Sequence, residues 1–342
     1  MKTIFRILPL FDAFLCWPGL FVAALVRWIP HSNRSEKSLI CRPGGMGDFI
    51  CCLIALDQIG KSPHEFTWLI DRRSELLAKK LHLEYLIYNQ SPLALLLKHR
   101  GQFKTVINTE QLYGLSQAFC HALASLKGTR VSFKTNRLSA FSDFQVSYDP
   151  LDEHEVSSFI RLFQGERATA AFTEPIESMP RMREQVSSQP PLVWISGTNQ
   201  PHRLLPIETW LNLIEKSSNS IKLHLVSAPE DRPFLEQLSA RLGERATILN
   251  LGFVELLAHL PSVERVITVD GGPVHLASYY GVPVSAIFTS GRNLKWAPLS
   301  QDSFVYYRED LTCRPCTLFG VAPPCPYSYA CKQLNFDDPK AI

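Results

Sequence analysis

The stretch Val269-Asp270-Gly271-Gly272-Pro273-Val274-His275-Leu276-Ala277 constrains the fold more than any other part of this chain. Glu264–Val269 is rich in β-branched residues and reads as a buried strand. Val274–Tyr280 reads as a short helix that Gly281 ends, and Pro283–Phe288 as the next strand. Strand, two-glycine turn, helix and strand make a crossover unit of a parallel sheet. Pro273 suits the first helical position, where a missing N–H costs nothing. The N–H groups of Val274 and His275 are then expected at the positive end of a helix dipole, with no side chain at Gly271 or Gly272 to block an anion. A purely structural turn would use the same glycines; Asp270 and His275 on its flanks favour an anion or nucleotide site.

A second unit of this kind lies near the front. Ser38–Cys41 is a short apolar strand, Pro43-Gly44-Gly45-Met46-Gly47 is the loop, and a helix capped by Asp48 is expected to run to Gly60. No Gly-Lys-Ser/Thr follows, so this is not a Walker loop. The third glycine of a dinucleotide fingerprint would fall at Ile50, which excludes that motif too. Asp48 is open to two readings, a plain N-cap or a reactive carboxylate.

Between and after these loops, strand-like and helix-like segments alternate. Phe66–Ile70 and Thr105–Asn108 read as strands and Gln111–Leu126 as a helix. After a polar, proline-dotted stretch at 165–191, with its hinge at Ser187–Pro191, come strand Leu192–Ser196, helix Ile207–Glu215, strand Ile221–Val226 and helix Arg232–Arg241. Two βα runs on either side of a hinge imply an α/β chain of two doubly wound, Rossmann-like domains facing a cleft. The boundaries expected are 1–36 for an N-terminal segment, 37–185 and 186–310 for the two domains, and 311–342 for a cysteine-bearing tail.

Charge isolates the N-terminal segment. The net charge of the 342 residues is +3, too small for a nucleic-acid binder working through a basic face. Residues 1–37 hold Lys2, Arg6, Arg27, Arg34 and Lys37 against Asp12 and Glu36, which accounts for the whole excess. Ala13–Val26 is apolar but only 14 residues long and is interrupted by Pro18-Gly19; a spanning helix wants roughly 20. Trp17, Phe21 and Trp28 are residues of a headgroup zone. The readings, in order, are an in-plane or re-entrant membrane anchor, a tilted spanning helix, a signal segment, and a helix docked on the protein.

Two motifs carry a resemblance. Arg42-Pro43-Gly44-Gly45-Met46-Gly47-Asp48 resembles the front Arg-x-x-x-x-Gly-Asp loop of family 9 glycosyltransferases, the bacterial ADP-heptose:lipopolysaccharide heptosyltransferases and their relatives. Asp270–Ala277 resembles that family's Asp-Ser/Thr-Gly-Pro-x-His-Leu-Ala signature. Arg203-Leu204-Leu205-Pro206-Ile207-Glu208 stands where the family has Lys-x-Trp-Pro-x-Glu, and Ala228-Pro229-Glu230-Asp231 at its Gly-x-Pro-x-Glu turn. The resemblance implies a GT-B fold, with acceptor on the N-terminal domain and nucleotide sugar on the C-terminal one, and inverting transfer that needs no divalent metal; the chain has no Asp-x-Asp. It implies Asp48 as the base, with Arg42, Gly45, Met46 and Gly47 forming the acceptor loop. On the donor side it implies Gly197, Arg203, Asp270, Gly271, Gly272, Pro273, Val274 and His275, with Glu230 or Asp231 on a ribose hydroxyl. His275 could equally be a buried packing residue, and Trp296 either packing or a base or sugar contact. Gly271, Leu205 and Arg203 depart from the family's Ser/Thr, Trp and Lys, which leaves the reaction class standing and the heptose donor open. The partners implied are an ADP-linked sugar, a glycan or lipid-linked acceptor and the cytoplasmic face of a bacterial inner membrane; no nucleic acid is expected. An epimerase on the same scaffold and a non-catalytic membrane-bound relative are the alternatives.

Cys41, Cys51, Cys52 and Cys120 lie in core-like segments. Cys313, Cys316, Cys325 and Cys331 are separated by two, eight and five residues, a spacing open to structural zinc, disulfides or reduced thiols.

Overall fold

Short apolar runs buried on both faces become the strands of two parallel sheets. The structure is a computed structural model, and it describes residues 2–27, 35–165, 189–198, 200–217, 222–317 and 322–334. Of the features read from the sequence, Ser187 and Ser188 of the hinge, Trp28 and Arg34 lie outside the described residues. The chain forms two units, one with residues up to Asp149 and the described residues 156–165, the other with Pro150–Glu155 and the described residues from Gln189 onward.

In chain order the first unit carries α1 (Lys2–Arg27), β1 (Ser38–Arg42), α2 (Met46–Gln58), β2 (Phe66–Ile70), α3 (Glu75–Lys80), β3 (Glu84–Ile87), α4 (Pro92–His99), β4 (Phe103–Asn108), α5 (Gly114–Leu123), β5 (Ala124–Phe133), β6 (Phe144–Val146) and α6 (Glu155–Gln164). Its sheet has the order β3-β2-β1-β4-β5-β6, parallel throughout, with Ile40 of β1 paired to Trp68 of β2 and Ile107 of β4. The second unit carries β7 (Leu192–Ile195), α7 (Ile207–Ser217), β8 (Leu223–Ser227), α8 (Arg232–Leu242), β9 (Ala246–Ile248), α9 (Phe253–His259), β10 (Val266–Val269), α10 (Gly272–Tyr279), β11 (Val284–Ile287), α11 (Asn293–Trp296) and β12 (Phe304–Tyr306). Its sheet, β12-β11-β10-β7-β8-β9, is again parallel and wound the same way. One core packs Trp210, Leu213 and Ile214 of α7 and Leu235 and Leu238 of α8 on Leu225 and Ile267. Each such side chain contributes roughly 1.5–3 kcal/mol by leaving water. The two Rossmann-like domains expected from the sequence are present.

Three local expectations change. The front helix starts at Met46 with Gly45 as its N-cap, so Asp48 sits in the first turn and is not the cap. The helix expected over Gln111–Leu126 is shorter at both ends. Glu110 accepts the N–H groups of Gln111 and Leu112, holding them in a loop, and β5 takes over at Ala124. Pro18-Gly19 does not interrupt the N-terminal helix, because α1 is continuous through both. A Cβ at Gly19 would stand 3.1 Å from Leu115 Cδ1, and one at Gly114 would stand 3.2 Å from Cys16 Cβ. The two glycines therefore let α1 and α5 approach closely.

α1 is thus fastened to the first unit. Asp12 accepts the Gly114 and Leu115 N–H groups at 2.8 Å each, capping α5 from another helix. Cys16 and Leu20 bury against Ala118 and Leu138. No described helix is long and apolar enough to cross a membrane.

In the second unit, Arg292 bonds the Leu151 carbonyl and Asp152, and Lys295 and Glu155 form a fully buried ion pair. His154 donates its Nε2–H to the Ala297 carbonyl at 3.0 Å. Desolvation drives the His154 pKa down to about 4, with Lys295 adding to the effect and the carbonyl opposing it.

We expect Asp12→Ala to lower stability by about 1–2 kcal/mol, the usual cost of a lost cap; an unchanged urea midpoint would remove Asp12 from that role. An imidazole neutral when folded and protonated near 6.5 when unfolded makes the fold lose stability as pH falls from 6.5 toward 4. That loss should reach up to about 3 kcal/mol and should flatten in His154→Gln, as read from denaturation across the window.

Candidate functional site

In a doubly wound sheet, the loops at the carboxyl ends of the two strands where the winding reverses diverge and leave room for a ligand. In the first unit those strands are β1 and β4. Arg42 ends β1 and is 4% exposed. Its Nη1 donates to the Thr109 carbonyl at 2.8 Å and to Gln111 Oε1 at 3.2 Å, both in the loop after β4. Its Nη2 lies 3.2 Å from Asp48 Oδ2. A Cβ at Gly44 would stand 2.1 Å from Arg42 Nη2, so only glycine lets the guanidinium through. Gly45, Met46 and Gly47 are half-buried around it, and the Asp48 side chain keeps 24% of its surface exposed. The first turn of α2 also favours a negative charge there. The outcome is an accessible carboxylate, not consumed as a cap, whose orientation is fixed by a buried cation.

Sequence reasoning missed the groups that brace this loop. Tyr88 donates its hydroxyl proton to the Pro43 carbonyl at 2.8 Å and approaches Asp71 Oδ2 at 3.4 Å; burial, then the Asp71 charge, pushes its pKa up to about 12. Burial would raise the Asp71 carboxyl, but hydrogen bonds from Arg73 outweigh it and hold the group below its ordinary value. The Arg73 guanidinium is raised chiefly by its bond to Asp71, with Asp48 among the charges that add to this. Asp71-Arg72-Arg73 straight after the apolar β2 was the available signal, since charges at a strand's carboxyl end border this edge.

In the second unit the reversal lies at β7 and β10. Gly197 follows β7 with φ +71, and Arg203 passes over it: a Cβ there would stand 3.5 Å from Arg203 Cδ. A Cβ at Gly271 would stand 3.7 Å from Arg203 Nη1, and Arg203 Nη2 lies 3.6 Å from Asp270 Oδ2. Arg203 therefore bridges the two glycine turns beside Asp270. Gly271 has φ +152 and ψ −166, a region open essentially to glycine alone. Burial raises the Asp270 carboxyl, opposed by Arg203 and then Arg314. Arg314 is a second cation that the sequence reading did not single out. It donates to the carbonyls of Thr289, Gly291 and Arg308, and lies over the Tyr307 ring. Its place between Cys313 and Pro315 disguised it as part of the tail.

Several expected roles are refined. α10 starts at Gly272, so Pro273 is its second residue, and the Val274 N–H is already donated to the Gly271 carbonyl at 3.1 Å. Gly271, Gly272 and Pro273 are half-buried, whereas Val274 is fully buried. His275 is also buried and packs edge-to-face on Trp296 at 5.6 Å. Of the two carboxylates, Asp231 is committed: it is buried and accepts from the Gly197 N–H, the Thr198 N–H and the Thr198 hydroxyl. Glu230 is exposed. Among the described residues no three His, Cys, Asp or Glu side chains are placed to hold a metal, and all four tail cysteines are free of disulfides. Cys316 Sγ donates to the Cys313 carbonyl, and burial raises the Cys316 and Cys331 pKa values, which favours thiols over thiolates.

A family model described as glycosyltransferase family 9 (heptosyltransferase) matches residues 102–319. The chain is similar to the E. coli heptosyltransferase WaaC with ADP, at 17% identity over 79% of this chain and 92% of that one, TM-score 0.60. WaaC has also been solved with ADP-2-deoxy-2-fluoro heptose. E. coli ADP-heptose lps heptosyltransferase II is similar at 13% identity over 81% and 92% of the two chains, TM-score 0.63. The glycosyl transferase family 9 structure from Veillonella parvula DSM 2008 is similar at 16% identity over 80% and 88%, TM-score 0.62. At such identities the structural likeness is one of fold. No curated protein matches the sequence.

Arg203→Ala should weaken a nucleoside diphosphate by about 1.5–3 kcal/mol and the matching monophosphate by less, because a charge-assisted contact to the second phosphate is lost. Calorimetry showing equal losses for both ligands would take Arg203 out of the anion site.

Proposed function

The chain belongs to glycosyltransferase family 9, and from that premise we propose that it transfers heptose, with inversion, from ADP-heptose to a hydroxyl of a lipopolysaccharide-core or related lipid-linked glycan. The observation that carries the mechanism is the half-buried Asp48 carboxylate in the first turn of α2, paired with buried Arg42 and not used as a helix cap. Asp48 accepts the proton of the acceptor hydroxyl as its oxygen attacks the anomeric carbon. Arg42 orients the carboxylate, and Thr109 and Gln111 hold Arg42. The bond from the anomeric carbon to the diphosphate breaks as the new one forms. The departing charge is met by Arg203 and the start of α10, with Arg314 adding to the field around Asp270. Exposed Glu230 is the carboxylate assigned to the ribose. Cationic side chains at the donor site and the absence of Asp-x-Asp support a transfer that needs no divalent metal. The ADP-linked donor is extended to this chain from the ADP-bound relative.

Asp48→Asn should reduce transfer by about 10²–10⁴ while leaving ADP affinity unchanged, since general-base loss acts on the acceptor side. Wild-type turnover in that variant, measured with ADP-heptose and a core-oligosaccharide acceptor, would sink the assignment. Transfer should also persist in EDTA.

A further inference from the structure

We infer that the outer face of α1, opposite the face docked on α5, is a docking surface for an anionic lipid bilayer, on which the helix lies in the plane of the headgroups. The helix is apolar on two sides. Cys16, Leu20 and Ala23 are buried. Leu15, Trp17, Phe21, Val22 and Leu25 are exposed, Trp17 at 47% and Phe21 at 66%. Phe141 extends this outer patch, its ring edge-to-face with Trp17 at 6.1 Å. An exposed apolar stripe holding tryptophan and phenylalanine is what a headgroup boundary accommodates.

Charge selects the occupant. The sequence of α1 carries Lys2, Arg6 and Arg27 against Asp12 alone, whereas Lys37, beyond the helix, is paired with Glu84. Asp12 is the only acidic residue of α1, and its carboxylate is turned to the N–H groups of Gly114 and Leu115. A helix apolar on its outer face and net positive in sequence is attracted to anionic headgroups. The two Asp12 bonds and the buried inner face keep α1 lying along the first unit. A lipid-docked α1 deepens the reading of a lipid-linked acceptor, but vesicle binding is measured without transfer, so the two claims fail separately.

The test is flotation of the full chain with phosphatidylcholine vesicles containing about one third phosphatidylglycerol, against phosphatidylcholine alone. Trp17→Ser with Phe21→Ser, both at exposed positions, should lower partition on the anionic vesicles by about tenfold or more, given the apolar area removed. Thermal unfolding and transfer to a water-soluble acceptor should be unchanged. Wild-type binding should fall on neutral vesicles and at high salt. Equal flotation of wild type and variant would overturn the proposal. So would wild-type protein that ignores vesicles, including protein that forms dimers which the double substitution abolishes.

Discussion

In a parallel sheet covered by helices on both faces, polar chemistry is confined to the edge where the strands end, and only where the winding reverses do the loops part. Both sheets obey this constraint. At the β1/β4 reversal a buried arginine crosses from one loop to the other and orients Asp48. At β7/β10 a second arginine does the same between Gly197 and Gly271 beside Asp270. At Gly44 a Cβ would occupy the path of the Arg42 guanidinium, whereas Gly197 and Gly271 are required by their positive φ and lie in ordinary contact with Arg203. Only one is deeply buried, and that difference suits their tasks. Arg42 is spent on fixing a carboxylate, while Arg203, at 21% side-chain exposure, can still meet a ligand.

The central strands other than β5 were legible because burial on both faces demands an unbroken apolar run. Phe66–Ile70 matched to the residue, and the strands at Leu192 and Val266 fell within the segments read for them. The edge strands β3, β6, β9 and β12 were not, because they span only three or four residues and none is wholly buried. α5 was overextended because Ala124–Leu126 continues its apolar character, and only pairing with β4 claims those residues for the sheet. Pro18 misled in the opposite sense: it is exposed, and the interhelical contact at Gly19 holds the continuous helix that propensity argues against.

The site was legible where chemistry and backbone coincide in one motif, as in Arg42–Asp48 and Asp270–Pro273. It was illegible where function depends on which hydrogen bonds a side chain has already made. Nothing in the sequence separates Glu230 from Asp231, yet the backbone after β7 occupies one carboxylate and leaves the other exposed. Likewise the Asp71–Arg73–Tyr88 brace joins residues whose contact depends on the pairing of β2 with β3.

Gly271 stands where the family signature carries serine or threonine, and its backbone has turned to φ +152. The missing hydroxyl and the dihedral are coupled, because this backbone region is open essentially to glycine. A serine placed here would not simply supply a hydroxyl, because a side chain at that dihedral carries strain on the order of 1–3 kcal/mol. To relieve that strain the turn would have to rotate beneath the arginine that lies against it. At this position the turn offers its peptide units and the neighbouring guanidinium, and no hydroxyl.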